Sequence, residues 1–367
     1  MLRFICGRIR SGKTTHLIEK IKNNPSKEAL FIVPEQYSHS IERLLCEACG
    51  NSVSEYAEVT SFRRLAMKVK SEVGGLAADI IGGGERILML RSALNSVAPA
   101  LGVLSKSAKH PEQLERLLSV IDEFKAYGVA PEKLAKTAGE LSPRTSAKMK
   151  DLAMIYAAYE KELGEENFDA YDELMFTAEN IAKNNFFKGK SLYFDGFSGF
   201  TYAEFEIIAA AISQADEVCI SLEIPEIEVE DEENGIFNKG FDTKKRIIAL
   251  AERAGCEYEE EHLKREEREA LSFLDRSLYS PLVRVHEGDA SEICIARADG
   301  SFAECELCAA YILDGVREKG MRFRDYSIAV TSGDEYIFIP AVWFSHAMEF
   351  LHIRRSPQVS YPSLQLR

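Results

Sequence analysis

The 367-residue chain has no apolar run approaching the roughly 18 residues that a membrane-spanning helix needs. Its start carries no charged-then-apolar leader with a small-residue cleavage site, because a glycine-bearing loop begins at residue 7. Together these absences predict a cytoplasmic protein. An excess of basic charge is missing too. Lys and Arg number 45 against 59 Asp and Glu, a net −14, which argues against a non-specific polyanion binder while leaving room for a local basic groove. Much of the acid sits in two runs, residues 226–233 and 257–261, which read as solvated loops or helix faces. Tryptophan is represented once, by Trp343.

Cysteine is present, but its two C-x-x-C pairs lie in the wrong setting for metal. Of eight cysteines, Cys46/Cys49 and Cys305/Cys308 form C-x-x-C pairs. Each pair lies in a helical pattern without the glycine of a zinc-binding turn, so packing beside leucines is expected instead. Disulfides are not expected in a reducing compartment. The remaining composition, 46% hydrophobic and 28% charged, is that of a globular chain long enough for two or three cores.

What is present first is a phosphate-loop pattern. Leu2 to Cys6 reads as a short buried strand. Gly7-Arg8-Ile9-Arg10-Ser11-Gly12-Lys13-Thr14 then fits G-x-x-x-x-G-K-[ST], and Thr15 onward continues as an amphipathic helix. Glycines let successive backbone N–H groups turn toward an anion, and the helix start adds partial positive charge. Gly7, Arg8, Ser11, Gly12, Lys13, Thr14 and Thr15 are therefore the candidate ATP-binding residues. Lys13 is expected to reach the β- and γ-phosphates and the Thr14 hydroxyl to ligate Mg²⁺. The plainer alternative is a chance match in a glycine-bearing turn.

The helix breaks at Asn24-Pro25, and residues 29–33 form a second apolar strand ending in Pro34-Glu35-Gln36-Tyr37-Ser38. A helix to about Cys49 and a third strand over 57–60 follow, opening into Ser61-Phe62-Arg63-Arg64-Leu65. Buried strands alternating with helices imply a parallel sheet covered on both faces, with ligands beyond the carboxyl ends of the strands. From about Gly74 to residue 185 only helical periods recur. Leu114, Leu117, Leu118, Ile121 and Phe124 share one face, as do Leu152, Ile155, Tyr156 and Tyr159.

The sheet resumes at Ser191-Leu-Tyr-Phe-Asp195, and residues 217–222 form another strand. Asp195 ends its strand where it can hold Mg²⁺ directly or through water. An aspartate opening a glycine-rich turn is the bland alternative. Residues 237–280 read as helices and connections, with one possible strand near Glu257. Strands over 292–296 and 326–330, around a helix over 302–319, suggest the start of another β-α-β unit. Periodicity fades over 337–367. The expected fold is α/β, a P-loop parallel sheet with a large all-helical insertion and the start of a second α/β lobe. Its first lobe is expected to span 1–72 and 186–285, the insertion 73–185, and the incomplete second lobe 286–367.

These segments, taken in order, resemble a known family. Phe31-Ile-Val-Pro34-Glu35-Gln36, Val59-Thr-Ser61-Phe62-Arg-Arg64-Leu65-Ala66, Ile121-Asp-Glu123-Phe124-Lys125-Ala-Tyr127-Gly128, Phe168-Asp-Ala-Tyr-Asp172-Glu-Leu174 and Phe194-Asp195-Gly196-Phe197-Ser-Gly-Phe200-Thr201 are similar to the AddB family of bacterial ATP-dependent helicase–nucleases, from residue 1 to about 335. The resemblance implies a superfamily-one helicase-like architecture, an AddA-like chain as heterodimer partner, DNA as ligand, and double-strand break processing for recombination, with recognition of a regulatory Chi sequence. It also implies a C-terminal nuclease domain with an iron–sulfur cluster, expected outside this chain, so no cysteine here is given to the cluster.

Two departures bear on mechanism. The loop carries Ile9 and Arg10 where small residues are usual. Gly196 follows Asp195, as in the family, where active helicases place a water-polarising glutamate. A general base contributes about 10²–10⁴ in rate, and an arginine finger from a complete second lobe ~10³ or more. ATP binding with little hydrolysis is therefore expected. Gln36, Tyr37, Thr60, Ser61, Phe62 and Arg64 are the candidates for contact with single-stranded DNA, through phosphate hydrogen bonds and ring stacking. Core packing is the competing role for Phe62. A self-contained P-loop ATPase or kinase, and a scaffold with a vestigial loop, are the alternative functions.

Overall fold

The computed structural model describes residues 1–24, 28–50, 55–73, 79–105, 111–164, 167–225, 237–264, 269–278 and 284–330. The expected break at Pro25, the acidic run at 226–233 and the tail from 337, with Trp343, lie outside the described residues. The chain forms two compact units, Met1–Glu266 and Glu267–Arg367.

The first unit is built on a six-stranded sheet of β1 (Leu2–Cys6), β2 (Ala29–Ile32), β3 (Glu58–Thr60), β6 (Ser191–Phe194), β7 (Glu217–Leu222) and β8 (Tyr258–His262). Their order is β3-β2-β6-β7-β1-β8, and every pairing is parallel. The central strands are apolar at successive positions because both faces are covered. Leu2, Phe4 and Cys6 point into one core with Leu192, Phe194, Val218 and Ile220, whereas Ile5 joins Phe31, Tyr193 and Cys219 in the other. Helices α1 (Lys13–Asn23) and α2 (Ser38–Cys49) supply the second core through Leu17, Ile21, Ile41 and Leu45. Helices α3 (Phe62–Val73), α8 (Ala170–Asn184), α9 (Tyr202–Gln214) and α10 (Asn238–Ala254) supply the first.

Between α3 and α8 the chain builds a helical subdomain of α4 (Gly83–Val97), α5 (Pro111–Ala126), α6 (Pro131–Thr137) and α7 (Pro143–Leu163). Leu118, Ile121, Ile155 and Tyr159, from the helical periods read in the sequence, form its own core with Leu90 and Leu94. An ionic network ties it to α8. Lys125 reaches Asp169 at 2.7 Å, Asp172 at 2.9 Å and Glu160 at 2.8 Å, while Arg86 engages Asp122 and the Tyr159 hydroxyl. Asp169 also caps α8, accepting from the N–H groups of Tyr171 and Asp172. Because Ala178 and Ile181 of that helix enter the sheet core, the network anchors the bundle to the sheet.

Three expectations are corrected. The helical stretch contains two short strands, β4 (Asp79–Ile80) and β5 (Asn167–Phe168), paired in parallel. Two residues are too few to register as a period. The acidic run at 257–261 is not a solvated loop or helix face but mostly the edge strand β8, in line with the possible strand near Glu257; Glu259 is exposed, whereas Glu260 turns toward Cys6 and Lys244. In the second unit, with α11 (Glu269–Ser277) and α12 (Ser301–Glu318), neither 292–296 nor 326–330 is a strand. No strand lies beside either segment among the described residues, Ile295 is 92% exposed, and Phe323 and Tyr326 pack on Ala309 and Ile312 of α12 instead. Both C-x-x-C pairs lie on helices, as expected, although Cys46 is exposed rather than packed. No helix among the described residues is long and apolar enough to cross a membrane.

Candidate functional site

The carboxyl ends of β1, β2, β6 and β7 converge on the loop between β1 and α1. Gly7 N–H donates to the Leu222 carbonyl at 3.2 Å, closing the loop base on β7. A side chain at Gly7 is excluded: a Cβ there would strike the Ser11 side chain and stand 2.9 Å from the Leu263 carbonyl. Ser11 N–H donates to the Arg8 carbonyl, Arg10 adopts φ 64° and Gly12 φ 87°, and the chain turns directly into α1. These left-handed residues curl the loop around a concave backbone surface. Ile9 does not fill it, being 61% exposed. Arg10 is exposed as well.

Lys13 folds over the loop, its Nζ donating to the carbonyls of Gly7 at 2.6 Å and Arg8 at 2.9 Å. Burial pushes the Lys13 pKa down, and the charges of Glu223 and Asp195 oppose that shift. The Thr14 hydroxyl donates to Asp195 Oδ2 at 2.6 Å, and the Ser221 hydroxyl donates to Oδ1. Asp195 is only 4% exposed. The Ser11 hydroxyl is buried without a hydrogen-bond partner among the described residues. A hydroxyl and a buried carboxylate beside an ammonium, a helix start and an unsatisfied hydroxyl form a donor set for a phosphate with a hard divalent cation.

The structure brings Asp195 to the loop that carries Gly7, Arg8, Ser11, Gly12, Lys13, Thr14 and Thr15, through its contact with Thr14. The other candidates divide. Gln36 and Tyr37 are exposed on a 3₁₀ turn (Glu35–Tyr37) beside Gly196, whose φ of 78° brings it against Pro34. Arg63 and Arg64 are exposed at the start of α3, where Arg64 pairs with Glu35 at 3.6 Å and Glu42 at 3.2 Å. Thr60, Ser61 and Phe62 are buried. Ser61 donates to the Glu35 carboxylate and accepts from Arg64 N–H, while the Phe62 ring packs on Phe194, Phe197 and Phe200. The core therefore takes up Phe62.

Ser221 and Glu223 escaped the sequence reading. A hydroxyl inside the apolar strand Glu217–Leu222 was the available signal for Ser221, since a buried polar group calls for a partner. Glu223 carried no comparable signal, because its proximity to Lys13 depends on β7 pairing with β1.

The family model described as ADDB, N-terminal, matches residues 4–275. Among curated proteins, the chain is similar to the B subunit of the ATP-dependent helicase/deoxyribonuclease of Acetivibrio thermocellus, 29% identical over 379 residues, covering 100% of this chain and 33% of that protein. The proteins of the same name from Clostridioides difficile and Thermoanaerobacter pseudethanolicus are 29% and 27% identical, over 92% and 94% of this chain and 31% of each relative. The chain thus spans about a third of the length of the curated relatives it matches.

Proposed function

The chain belongs to the ADDB N-terminal family, and on that premise we propose that it is the nucleotide-binding, DNA-engaging part of a bacterial AddB-type helicase–nuclease chain acting in double-strand break repair. The observation that carries the reading is the convergence of Lys13, Thr14 and Asp195 on one loop, with Thr14 and Asp195 in contact at 2.6 Å. In this reading the fold is a P-loop NTPase fold. The backbone N–H groups of the loop, with Ser11 and Lys13, hold the phosphates of ATP. Thr14 and Asp195 hold Mg²⁺, and Ser221 orients the carboxylate. Bound Mg²⁺ would neutralise charge between the β- and γ-phosphates.

The position after Asp195 offers no carboxylate, because Gly196 occupies it. ATP accordingly acts as a conformational ligand with little turnover, and unwinding and cleavage reside in the complex assembled with an AddA-like partner. Gln36, Tyr37, Arg63 and Arg64 form the accessible part of the face that engages single-stranded DNA, next to Gly196 and therefore next to the nucleotide. Single-turnover hydrolysis of MgATP by this chain, with and without single-stranded DNA, tests the reading. Negligible turnover alongside binding supports it. Brisk turnover by the chain alone would favour a self-contained ATPase.

A further inference from the structure

A second polar cluster lies beneath the other side of the loop, at the β1–β8 edge of the sheet. Cys6, the last residue of β1, is fully buried and pairs in register with His262, the last residue of β8, while Phe4 pairs with Glu260. Side chains alternate along strands, so Cys6, Glu260 and His262 share one face. His262 Nε2 stands 2.8 Å from Glu260 Oε1, and the Cys6 thiol donates to that same oxygen at 3.7 Å. One ligating atom from each of the three lies within 4.8 Å of the others. Lys244 of α10 also donates to Oε1, so a single carboxylate oxygen faces a thiol, an imidazole and an ammonium. His262 Nδ1 is buried and unpartnered among the described residues.

We propose that Cys6, Glu260 and His262 bind a thiophilic divalent cation of the zinc type, which takes the place of the Lys244 ammonium as the counter-ion of Glu260. The inference does not rest on the nucleotide reading. One sulfur, one nitrogen and one oxygen make a three-ligand set of the kind zinc accepts, with the fourth position left to water. Magnesium and calcium do not select sulfur. Strand pairing holds two ligands in place before the ion arrives, which limits the ordering entropy of binding. The position already attracts a cation, as Lys244 demonstrates, and a divalent ion brings twice that charge.

Coordination releases one proton from the Cys6 thiol to solvent as the metal–sulfur bond forms, and no electron is transferred. The Cys6 carbonyl accepts from Leu263 N–H at 2.8 Å, and Gly7 follows directly, so the bound ion would stiffen the base of the loop.

The test is titration of the full chain with Co²⁺, following thiolate-to-cobalt charge-transfer absorption, then displacement by Zn²⁺. The expected result is one equivalent bound with a thiolate band. That band disappears in Cys6→Ser, affinity falls at least about tenfold in His262→Ala, and affinity rises several-fold in Lys244→Met as the competing ammonium is removed. The double variant Cys46→Ser/Cys49→Ser, which removes an exposed C-x-x-C pair, leaves binding unchanged. His262→Ala alters a part-exposed edge residue, so it stands as the second variant if Cys6→Ser fails to fold. Absence of a thiolate band in the unaltered chain, persistence of the band in Cys6→Ser, or unchanged affinity in Lys244→Met would overturn the proposal.

Discussion

The Thr14 hydroxyl donates to the Asp195 carboxylate at 2.6 Å across 181 positions of sequence. Thr14 lies in the first turn of α1 at the end of the glycine loop, and Asp195 follows β6, two strands away in the sheet. Their contact depends on β7 lying between β1 and β6, with Cys6 level with Leu222 and Phe194 level with Ile220. Ser221 of that intervening strand takes the second carboxylate oxygen. A carboxylate with 4% exposure is thereby satisfied by two hydroxyls, either of which a cation could replace.

Removing the Ser221 hydroxyl leaves half of this buried carboxylate unsatisfied. Ser221→Ala is expected to destabilise the chain by about 1.5–3 kcal/mol, the range for hydrogen bonds to charged groups. Denaturant unfolding measures this, and an unchanged midpoint would show that water replaces the hydroxyl.

The proposed DNA face and the core beneath it separate cleanly by mutation. Phe62→Ala is expected to cost about 3–5 kcal/mol of stability, as large aromatic truncations in cores do. Tyr37→Ala should leave stability nearly unchanged and weaken single-strand binding, since stacking contributes about 1–3 kcal/mol per base. Anisotropy with a labelled oligonucleotide reads the second effect. Arg64→Ala should lower the affinity and its salt dependence together, because the guanidinium exchanges Glu35 and Glu42 for phosphate.

Much of the resemblance to the family reflects ties within the fold, not chemistry. Lys125, whose side chain is 5% exposed, holds Asp169 at 0%. The surrounding carboxylates keep the Lys125 ammonium above its ordinary value despite burial. Lys125→Ala strands buried negative charge and is expected to cost about 3–5 kcal/mol. Calorimetric unfolding should show the helical subdomain loosening from the sheet, with the melting temperature reduced.

The same network sets a pH dependence. Burial raises Asp172 to about 6, with Asp169 adding to the shift and Lys125 opposing it. Asp169 is pushed up by burial, yet Lys125 and its hydrogen bonds hold it below its ordinary value. Between pH 4 and 6 the folded chain therefore keeps a proton on Asp172 that the unfolded chain has lost. Its contribution is present below about pH 4 and is lost as pH rises through 6, with a ceiling on the order of 3 kcal/mol. Asp172→Asn should flatten that part of the stability profile, measured by urea midpoints across the range.

The sequence was legible wherever a local pattern coincided with burial. The apolar runs at Leu2–Cys6, Ala29–Ile32 and Ser191–Phe194 announce strands buried on both faces, and G-x-x-x-x-G-K-T announces the loop between β1 and α1. The pairing of β8 was less legible, since its run of glutamates hides the alternation of a strand, and Glu260 and His262 meet Cys6 only once β8 pairs with β1. The strands expected at 292–296 and 326–330 failed because apolar character alone does not supply a ladder partner. Phe62 was open to two readings in sequence, stacking on a base or packing in the core; a helix turns successive residues to different faces, and Phe62 faces inward with Leu65, Ala66 and Val69.

The most direct measurement is calorimetric titration of the chain with MgATP, beside Lys13→Ala, Thr14→Ala and Asp195→Ala, each checked for unchanged folding. The account predicts one site per chain, affinity reduced at least about tenfold in all three variants, and a magnesium requirement that weakens in Thr14→Ala and Asp195→Ala but not in Lys13→Ala. Undetectable binding by the unaltered chain, or affinity in Lys13→Ala and Asp195→Ala unchanged from that of the unaltered chain, would contradict it and leave the loop as a structural turn.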